Sequence, residues 1–347
     1  MARKVIHLMP YDGIGGVELA AATAEGRSRN GIRLERMFVF ETVRDRSGRG
    51  ATFDPRAFWR AAGRLAVAEP DLVILSLWRA VIVGALARLR GCRAPMVLFL
   101  HNARDAHRLD RWTTRLAARH AAAIWADSRT TLDTRLTIPD GKPARVISYL
   151  TRRLEPVRAS EPAPTPDFVF WGRLADQKAP LRTLALFRRI HRQRPDARLV
   201  MMGPDGGLRK QLETAIAEAG PQEAVALPGP ASADEIAARA SKASFYLQTS
   251  RYEGMALSVV EAMQLGLVPA VTPVGEISRY TQDGRDAIWI DPDPARDDEA
   301  ARAILALIDA PDTWRQMQQR ALTRWTGNAL YADDILAAAE SVLAGEE

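Results

Sequence analysis

The stretch that decides the fold is Ser250-Arg-Tyr-Glu-Gly-Met-Ala-Leu-Ser-Val-Val-Glu-Ala-Met-Gln-Leu-Gly-Leu-Val-Pro-Ala270. It follows a β-type run, passes through a loop, turns helical near Ala256 and enters another β-type run near Val268. This succession is the repeating unit of a parallel sheet wrapped by helices. A helix that begins here directs its first backbone N–H groups at an anion, namely those of Met255, Ala256, Leu257 and Ser258.

Two glutamates accompany the start of this helix. Glu253 lies just before it, next to Gly254, and Glu261 lies about one and a half turns into it. Both carboxylates can accept hydrogen bonds from the hydroxyl groups of a ligand. Taken alone, Glu253 is equally well explained as a helix-entry acid that the helix dipole favours, and Glu261 as a solvated helix residue. Their occurrence together, in this order, favours a binding site.

The same alternation of β-type runs and helical patterns extends through the chain. Six β-type runs come before a proline-rich stretch and six come after it, near 4–9, 34–40, 72–76, 96–100, 123–126, 145–148, 168–171, 198–202, 224–227, 244–247, 268–271 and 287–290. The stretch from Glu155 to Pro166 holds four prolines, which exclude a helix or a central strand and predict a domain boundary near residue 160. Beyond Ile290 the pattern is helical only.

These patterns predict an α/β chain with two doubly wound, Rossmann-like domains facing a central cleft. We expect residues 1–160 and 161–328 to form the two domains, with a C-terminal helix of about residues 329–347 returning to the first. Ligands of such sheets bind at the carboxyl ends of the strands, so function is expected in the loops that follow strands.

One such loop follows the first strand of the second half. It reads Gly172-Arg-Leu-Ala-Asp-Gln-Lys178 and leads to a helix that starts near Pro180. Arg173 as a planar fork and Lys178 as a point charge suit a diphosphate. The alternative is a pair of ordinary exposed surface cations.

A glycine-containing loop also follows the first strand of the chain. Gly15 and Gly16 let the backbone approach a ligand in Tyr11-Asp-Gly-Ile-Gly-Gly-Val-Glu18. The spacing of a dinucleotide fingerprint is missing, and no Gly-Lys-Ser/Thr follows, which weakens the nicotinamide and ATP interpretations. A tight strand-to-helix turn is the plain alternative.

Composition narrows the class of protein. The length of 347 residues suits two cores rather than one, and 47% hydrophobic residues are typical of a globular chain. The single Cys92 excludes an internal disulfide and a Cys-rich metal site, so a cytoplasmic location is the default expectation. No signal peptide is evident, and the apolar run Leu72 to Leu89 is broken by Ser76 and Arg79, which favours a strand and a helix over a membrane span.

Charge is distributed unevenly. Residues 1–165 carry 28 Lys and Arg against 16 Asp and Glu, whereas residues 166–347 carry 20 against 26. A basic first half suggests an anionic partner, such as a lipid headgroup surface or an acidic acceptor. Arginines recur along one predicted helical face beside Trp112, at Arg104, Arg108, Arg111, Arg115 and Arg119. This face could rest on an anionic membrane, and the alternative is a solvated face partly paired with Asp105 and Asp110.

On these motifs the chain resembles the GT-B glycosyltransferases of glycosyltransferase family 4, which are retaining enzymes that use nucleotide sugars. The Glu-x7-Glu element of that family looks like Glu253 to Glu261, and its Gly-Arg…Lys loop looks like Gly172, Arg173 and Lys178. The resemblance implies that Glu261 binds the donor ribose, Glu253 the transferred sugar, and Arg173 with Lys178 the diphosphate of a UDP- or GDP-sugar. Gly15-Gly16 and His101 are similar to the family's first-strand glycine pair and to the histidine after its fourth strand.

The resemblance further implies a retaining transfer with no metal and no other cofactor, onto a polysaccharide or lipid-linked acceptor in bacterial surface-glycan synthesis. His101 would orient the sugar or the acceptor; a loop histidine without catalytic work is the alternative. The other four histidines lack metal or triad spacing, and Asp291-Pro-Asp293 is expected to cap and turn the chain. One departure is Val274-Gly275, where many relatives have a glycine pair.

Two other classes of function remain as alternatives. A GT-B epimerase or hydrolase would act on the same nucleotide sugar without transferring it. A nucleic-acid binder is suggested by the sequence pI of about 9.7, but no recognition motif accompanies it, and the acidic second half would repel a phosphate backbone.

Overall fold

The computed structural model describes residues 2–13, 16–40, 54–101, 104–157, 163–218 and 222–346. The chain forms two compact units, one of residues Met1–Arg152 with Asn328–Glu347 and the other of residues Arg153–Gly327. The chain passes into the second unit earlier than the proline-rich stretch suggests. The reason is local hydrogen bonding, since the N–H of Leu154 donates to Gln264 Oε1 and that of Val157 to the carbonyl of Leu265, both at 3.1 Å.

The first unit contains a seven-stranded sheet. Its strands are β1 Arg3–Met9, β2 Ser28–Arg29, β3 Ile32–Phe38, β4 Leu72–Ser76, β5 Met96–Leu100, β6 Ala123–Ala126 and β7 Ala144–Val146, in the order β2-β3-β1-β4-β5-β6-β7. All neighbours are parallel except β2 and β3. The central strands β4 and β5 are buried along their whole length, as expected for strands covered on both faces.

Strand β2 is a correction to the six strands expected in this half. It is only two residues long and forms a hairpin with β3 across Asn30-Gly31, whose φ angles are 47° and 75°. Asn-Gly is a strong hairpin signal because both central residues of such a turn need positive φ. The sequence therefore contained the information, and the missed strand is simply too short to show a periodic pattern.

Helices cover the faces of the first sheet. They are α1 Gly16–Ala24, α2 Pro55–Val67, α3 Leu77–Leu89, α4 Arg108–His120, α5 Arg129–Arg135 and the last helix of the chain, α13 Tyr331–Ala344. Helix α13 returns to this unit, as predicted: the N–H of Tyr331 donates to the carbonyl of Leu150 at 2.7 Å, and Asp334 accepts from Arg145 and from the N–H of Ser148.

The second unit contains a six-stranded parallel sheet. Its strands are β8 Asp167–Trp171, β9 Arg198–Met202, β10 Val225–Gly229, β11 Phe245–Gln248, β12 Val268–Val271 and β13 Ile288–Trp289. Its helices are α6 Pro180–Gln193, α7 Arg209–Glu218, α8 Ala233–Ala240, α9 Leu257–Leu265, α10 Ile277–Tyr280, α11 Asp297–Ile308 and α12 Pro311–Thr323. The strand order β10-β9-β8-β11-β12-β13 reverses direction between β8 and β11. In a doubly wound sheet this switch point is where ligands bind.

Each unit has its own apolar core, built from its sheet and the helices that cover it. The predicted α/β fold of two doubly wound sheets is thus confirmed. In the described part of the chain, no helix is both long enough and apolar enough to cross a membrane.

Candidate active site

Two loops lie side by side at the switch point of the second sheet. Residues 172–179 follow β8 and residues 249–256 follow β11. The N–H of Arg251 donates to the carbonyl of Gln177 at 2.9 Å, and Gln177 Nε2 donates to the carbonyl of Tyr252 at 3.2 Å. Because these bonds tie the loops together, their side chains meet in a common site.

Lys178 and Glu253 form an ion pair in this site. Lys178 Nζ lies 2.7 Å from Glu253 Oε1, and the two side chains are 14% and 5% exposed. The hydroxyl of Ser250 donates to the same carboxylate oxygen at 2.7 Å. The other oxygen, Glu253 Oε2, makes no hydrogen bond or ion pair within the described part of the chain. One carboxylate oxygen is therefore anchored while the second is left for a ligand.

Gln248, the last residue of β11, is a fully buried amide that the sequence analysis missed. Its Nε2 donates to Glu253 Oε1 at 3.3 Å. Its Oε1 accepts from Lys178 Nζ at 3.4 Å, from the Tyr246 hydroxyl at 2.7 Å and from the Ser258 hydroxyl at 3.1 Å. A buried polar group needs such partners, so an amide at the end of an apolar strand was the signal available in the sequence.

Glu261 is held from the neighbouring strand. Trp171, the last residue of β8, donates from Nε1 to Glu261 Oε2 at 3.0 Å. The hydroxyl of Tyr246 lies 3.0 Å from the carbonyl of Trp171 and also reaches Gln248. Burial raises the pKa of Tyr246, so its hydroxyl stays protonated. Tyr246 thus links Trp171, which donates to Glu261, with Gln248, which donates to Glu253.

Helices α6 and α9 both begin after a residue in the left-handed conformation. Ala179 has φ 45° and Ala256 has φ 56°. A residue with a Cβ pays roughly 1 kcal/mol or more for this conformation, and such strain is concentrated at functional sites. No side chain of the described residues caps either helix, so first-turn N–H groups such as those of Leu257 and Ser258 are left for a ligand or solvent.

Gly275 packs its backbone against the loop that carries Glu253. Its φ is +61°, and a Cβ built on it would lie 2.8 Å from the carbonyl carbon of Glu253 and 3.0 Å from the carbonyl oxygen of Gly254. The N–H of Glu276 donates to that same Gly254 oxygen at 3.0 Å. One glycine, Gly275, is therefore enough to let the two backbone segments approach closely. Val274 stands where many members of the family that the chain resembles have a second glycine.

The remaining predicted residues of these loops lie around the ion pair. Gly172 has φ +148°, and its N–H donates to the carbonyl of Met202 at 3.0 Å. The side chain of Arg173 is exposed and makes no hydrogen bond or ion pair with any residue that the structure describes, while its backbone carbonyl accepts from the N–H of Ala175 at 2.9 Å. Gly254 and Met255 are half-buried in the loop before α9. In the first unit, Gly16 is the exposed first residue of α1, whereas Gly15 lies outside the described residues.

His101 lies directly after β5, in a buried chain of polar side chains in the first unit. Its Nε2 is 2.7 Å from Ser76 Oγ, which is also 2.7 Å from His7 Nε2, and its Nδ1 is 3.2 Å from the Tyr149 hydroxyl. Burial lowers the pKa of both imidazoles, with Arg36 adding to the effect at His7 and His7 adding to it at His101. Both rings are therefore neutral at pH 7.

This network constrains the role expected of His101. Because both of its ring nitrogens are engaged, bonding to a sugar or an acceptor would require the contact with Ser76 or with Tyr149 to open. Ser76 and Tyr149 are 73 residues apart in the chain and carry no motif, so only the packing of the strands could reveal them.

The predicted arginine stripe is exposed. Arg104 precedes α4 and the other four lie along it, at Arg108, Arg111, Arg115 and Arg119. Three apolar side chains beside them are also exposed, Leu109 by 40%, Trp112 by 63% and Leu116 by 41%. Arg111 Nε lies 3.7 Å from Asp105 Oδ2. Asp110, by contrast, is buried and bonds Arg135 at 2.7 Å, so it is not available to the stripe.

Asp291 and Asp293 stabilise a turn of the chain, as their sequence predicts. Asp291 Oδ1 accepts from the N–H of Asp293 at 2.8 Å, and Asp293 Oδ1 accepts from the N–H of Ala295 at 3.0 Å. Asp291 Oδ2 also pairs with Arg296 at 2.9 Å. Within the described ranges, no group of three or more His, Cys, Asp and Glu side chains is placed to hold a metal ion.

Known proteins resemble this chain in sequence. Residues 152–324 match the family model of the glycosyl transferases group 1. The GDP-mannose:cellobiosyl-diphosphopolyprenol alpha-mannosyltransferase of Xanthomonas oryzae pv. oryzae (strain PXO99A) is 30% identical over 173 residues, which cover 48% of this chain and 45% of that protein. The matched region thus spans less than half the length of this relative.

Solved structures resemble the chain in fold. HepE of Anabaena, crystallised in complex with UDP-glucose, superposes with a TM-score of 0.75 at 16% identity and covers 98% of this chain and 99% of its own. Sucrose-phosphate synthase of Thermosynechococcus elongatus gives a TM-score of 0.72 at 15% identity, with coverage of 99% and 100%.

The fold and the sequence comparisons agree on the class of protein. The chain has the GT-B fold of glycosyltransferases, and over residues 152–324 it carries the enzyme domain of the glycosyl transferases group 1.

Proposed function

We propose that this chain is a retaining, metal-independent glycosyltransferase of family 4 that transfers a sugar from a UDP- or GDP-sugar to an acceptor. The observation that carries the proposal is the buried pair of Lys178 and Glu253, whose charged atoms lie 2.7 Å apart at the switch point of the second sheet. Lys178 is a cation that can bind a phosphate, and Glu253 is a carboxylate that can accept from a hydroxyl. The two lie next to each other where a doubly wound sheet binds ligands.

The donor is expected to lie across the two loops. Lys178, the exposed Arg173 and the first N–H groups of α9 supply positive charge for the diphosphate. Glu253 Oε2 accepts from a hydroxyl of the transferred sugar, and Glu261 accepts from the ribose. The printed names of two similar proteins support a nucleotide sugar: one relative is named for GDP-mannose, and HepE was crystallised with UDP-glucose.

In the proposed reaction, the bond between the anomeric carbon and the diphosphate oxygen breaks while a bond to the acceptor oxygen forms on the same face of the sugar. The departing diphosphate oxygen takes the proton of the acceptor hydroxyl. Lys178 and Arg173 stabilise the negative charge that develops on the leaving group, which is the step that preorganised charges accelerate most. These cations take the place that a divalent metal has in other transferases.

The acceptor is expected to bind mainly to the first unit, where His101 would orient the sugar or the acceptor. The excess of Lys and Arg in residues 1–165 favours an anionic acceptor. The Xanthomonas relative is named for an acceptor carried on diphosphopolyprenol, which supports a lipid-linked acceptor and a place in bacterial surface-glycan synthesis.

A lipid-linked acceptor also gives the exposed face of α4 a role. Arginines that flank Leu109, Trp112 and Leu116 form a basic, partly apolar surface. We expect it to rest on the anionic, cytoplasmic face of a membrane. The test compares binding to anionic and neutral vesicles for the wild type and for a variant in which Arg104, Arg108, Arg111, Arg115 and Arg119 are changed to glutamine. Equal binding in all cases would remove the membrane from the proposal.

The main experiment is a thermal-shift panel of UDP-, GDP-, ADP- and dTDP-sugars, because a ligand raises the unfolding temperature according to its affinity. Product analysis then follows, with donor alone and with candidate acceptors. Transfer that appears only with an acceptor supports the proposal, whereas an epimer or a free sugar formed from donor alone would favour the epimerase or hydrolase. A panel in which no nucleotide sugar binds would reject all three enzymes.

A further inference from the structure

We infer that Gln248 is a positioning residue for the transfer, which keeps Glu253 in place when Lys178 turns to the diphosphate of the donor. The inference rests on the proposed function, since it concerns the same site. Nothing in the sequence motifs points to Gln248, and its role follows from its contacts to Lys178 and Glu253 in the two loops and to Ser258 in the first turn of α9.

Lys178 has room for a third contact. Its ammonium has three protons, of which one points to Glu253 Oε1 at 2.7 Å and one to Gln248 Oε1 at 3.4 Å. The third remains for a phosphate oxygen. As a diphosphate with its larger negative charge arrives, the ammonium is drawn away from Glu253, while the amide oxygen gives it a neutral second contact.

Glu253 needs donors other than Lys178. Its side chain is 5% exposed, so the carboxylate cannot be left without donors when Lys178 moves. Gln248 Nε2 at 3.3 Å and the Ser250 hydroxyl at 2.7 Å both donate to Oε1 and stay in place. The carboxylate therefore remains oriented, with Oε2 directed to the sugar.

The orientation of the Gln248 amide follows from its neighbours. Gln248 Oε1 faces the hydroxyls of Tyr246 and Ser258 in addition to Lys178. A flipped amide would present N–H groups to the ammonium and its carbonyl to the carboxylate of Glu253, which is unfavourable on both sides. The hydrogen bonds of Oε1 thus fix Nε2 as the group that donates to Glu253.

An amide is required at this position because a carboxylate would place like charges together. Glutamate has the same shape, yet a second carboxylate about 3 Å from Glu253 would force the two groups to share one proton near neutral pH. Among the described residues, several other charged or titratable groups interact with Glu253 or with the two tyrosines close to it, namely Lys178, Tyr246, Glu261, Glu276, Tyr280 and Arg324.

The experiment uses two variants of the full chain, Gln248→Leu and Gln248→Glu. For Gln248→Leu we expect kcat to fall by roughly 100-fold, because Glu253 loses one of its two neutral donors and moves, while the affinity for UDP or GDP measured by calorimetry stays within about threefold. For Gln248→Glu we expect low activity at pH 8 and a rise of about tenfold or more, relative to wild type, at pH 5.5. Protonation of the new carboxyl restores a donor to Glu253 under these conditions.

Gln318→Leu and Gln318→Glu are the matched controls. Gln318 is also buried in the second unit, where its Nε2 donates at 2.9 Å to the carbonyl of Gly266, at the C-terminal end of α9 and thus at the opposite end of that helix from Ser258. These variants are expected to lower the unfolding temperature with little change in kcat and with a constant activity ratio to wild type across pH. Circular dichroism at the assay temperature shows that each variant is folded.

The outcomes distinguish a failure of the proposed function from a failure of the role of Gln248. If wild type neither binds a nucleotide sugar nor transfers one, the proposed function fails. If wild type is active but both Gln248 variants keep kcat within threefold, or Gln248→Glu shows a flat activity ratio across pH, the role of Gln248 is overturned while the proposed function stands. Should Gln248→Leu fail to fold, the pH profile of Gln248→Glu carries the test alone.

Discussion

Replacement of Gly275 by alanine tests how tightly the position of Glu253 is set by the backbone. Gly275 has φ +61°, and an added Cβ would lie 2.8 Å from the carbonyl carbon of Glu253. Carbon atoms in favourable contact are about 3.5–4.0 Å apart, so the loop must yield by about 1 Å. Shifts of this size in a positioned group cost roughly 100-fold in rate, which corresponds to about 2.7 kcal/mol of transition-state stabilisation.

Gly284→Ala provides the matched control. Gly284 lies in the same unit with φ +68°, and a Cβ there would meet nothing within 4 Å. Both substitutions pay for the left-handed conformation, roughly 1 kcal/mol of stability each. Only Gly275→Ala also pushes against the backbone of Glu253.

The assay measures kcat and KM for the donor at saturating acceptor, together with urea unfolding, for wild type and both variants. We expect both variants to lose about 1 kcal/mol or more of stability, and only Gly275→Ala to lose kcat by roughly two orders of magnitude. If Gly275→Ala is destabilised but turns over at the wild-type rate, the backbone contact does not position Glu253. Equal loss of kcat in both variants would likewise refute the reasoning, because it would trace the effect to φ alone.

Other predictions follow from the same geometry. Lys178→Ala and Glu253→Gln should each lower kcat by two or more orders of magnitude, and near-normal turnover of either variant would contradict the site assignment. EDTA should leave the transfer rate unchanged, whereas inhibition that added Mg²⁺ or Mn²⁺ reverses would show that a metal carries the leaving-group charge. Burial lowers the pKa of His7 to about 3 in the folded chain, against about 6.5 when unfolded, so the unfolded chain binds more protons and stability should fall as pH drops below about 6.5. From His7 alone the loss between pH 7 and pH 5 is roughly 2 kcal/mol, measured by urea unfolding, and His7→Gln should reduce that difference; an unchanged difference would assign the acid sensitivity to other groups.

Much of the fold was predictable because each element carries its own local signal. The buried run Leu72–Ser76 and the helix that follows it were recognised from apolar patterning, and the start of α6 from Pro180. The two-residue strand β2 was missed because it is too short for a pattern. The proline-rich stretch predicts irregular backbone near residue 160, whereas the bonds of Leu154 and Val157 decide which unit holds the residues just before it.

For the candidate site, the sequence by itself determined which loops follow parallel strands, that these loops carry Lys178 and Glu253, and that Glu261 lies in the helix that follows, since strand and helix periodicity are local properties. Only the tertiary structure decided that Lys178 Nζ and Glu253 Oε1 meet at 2.7 Å, that Gln248 contacts both of them, and that His101 has both nitrogens engaged. The physical reason is that these contacts join residues far apart in the chain, and their distances depend on strand order and close packing. A one-dimensional pattern records neither.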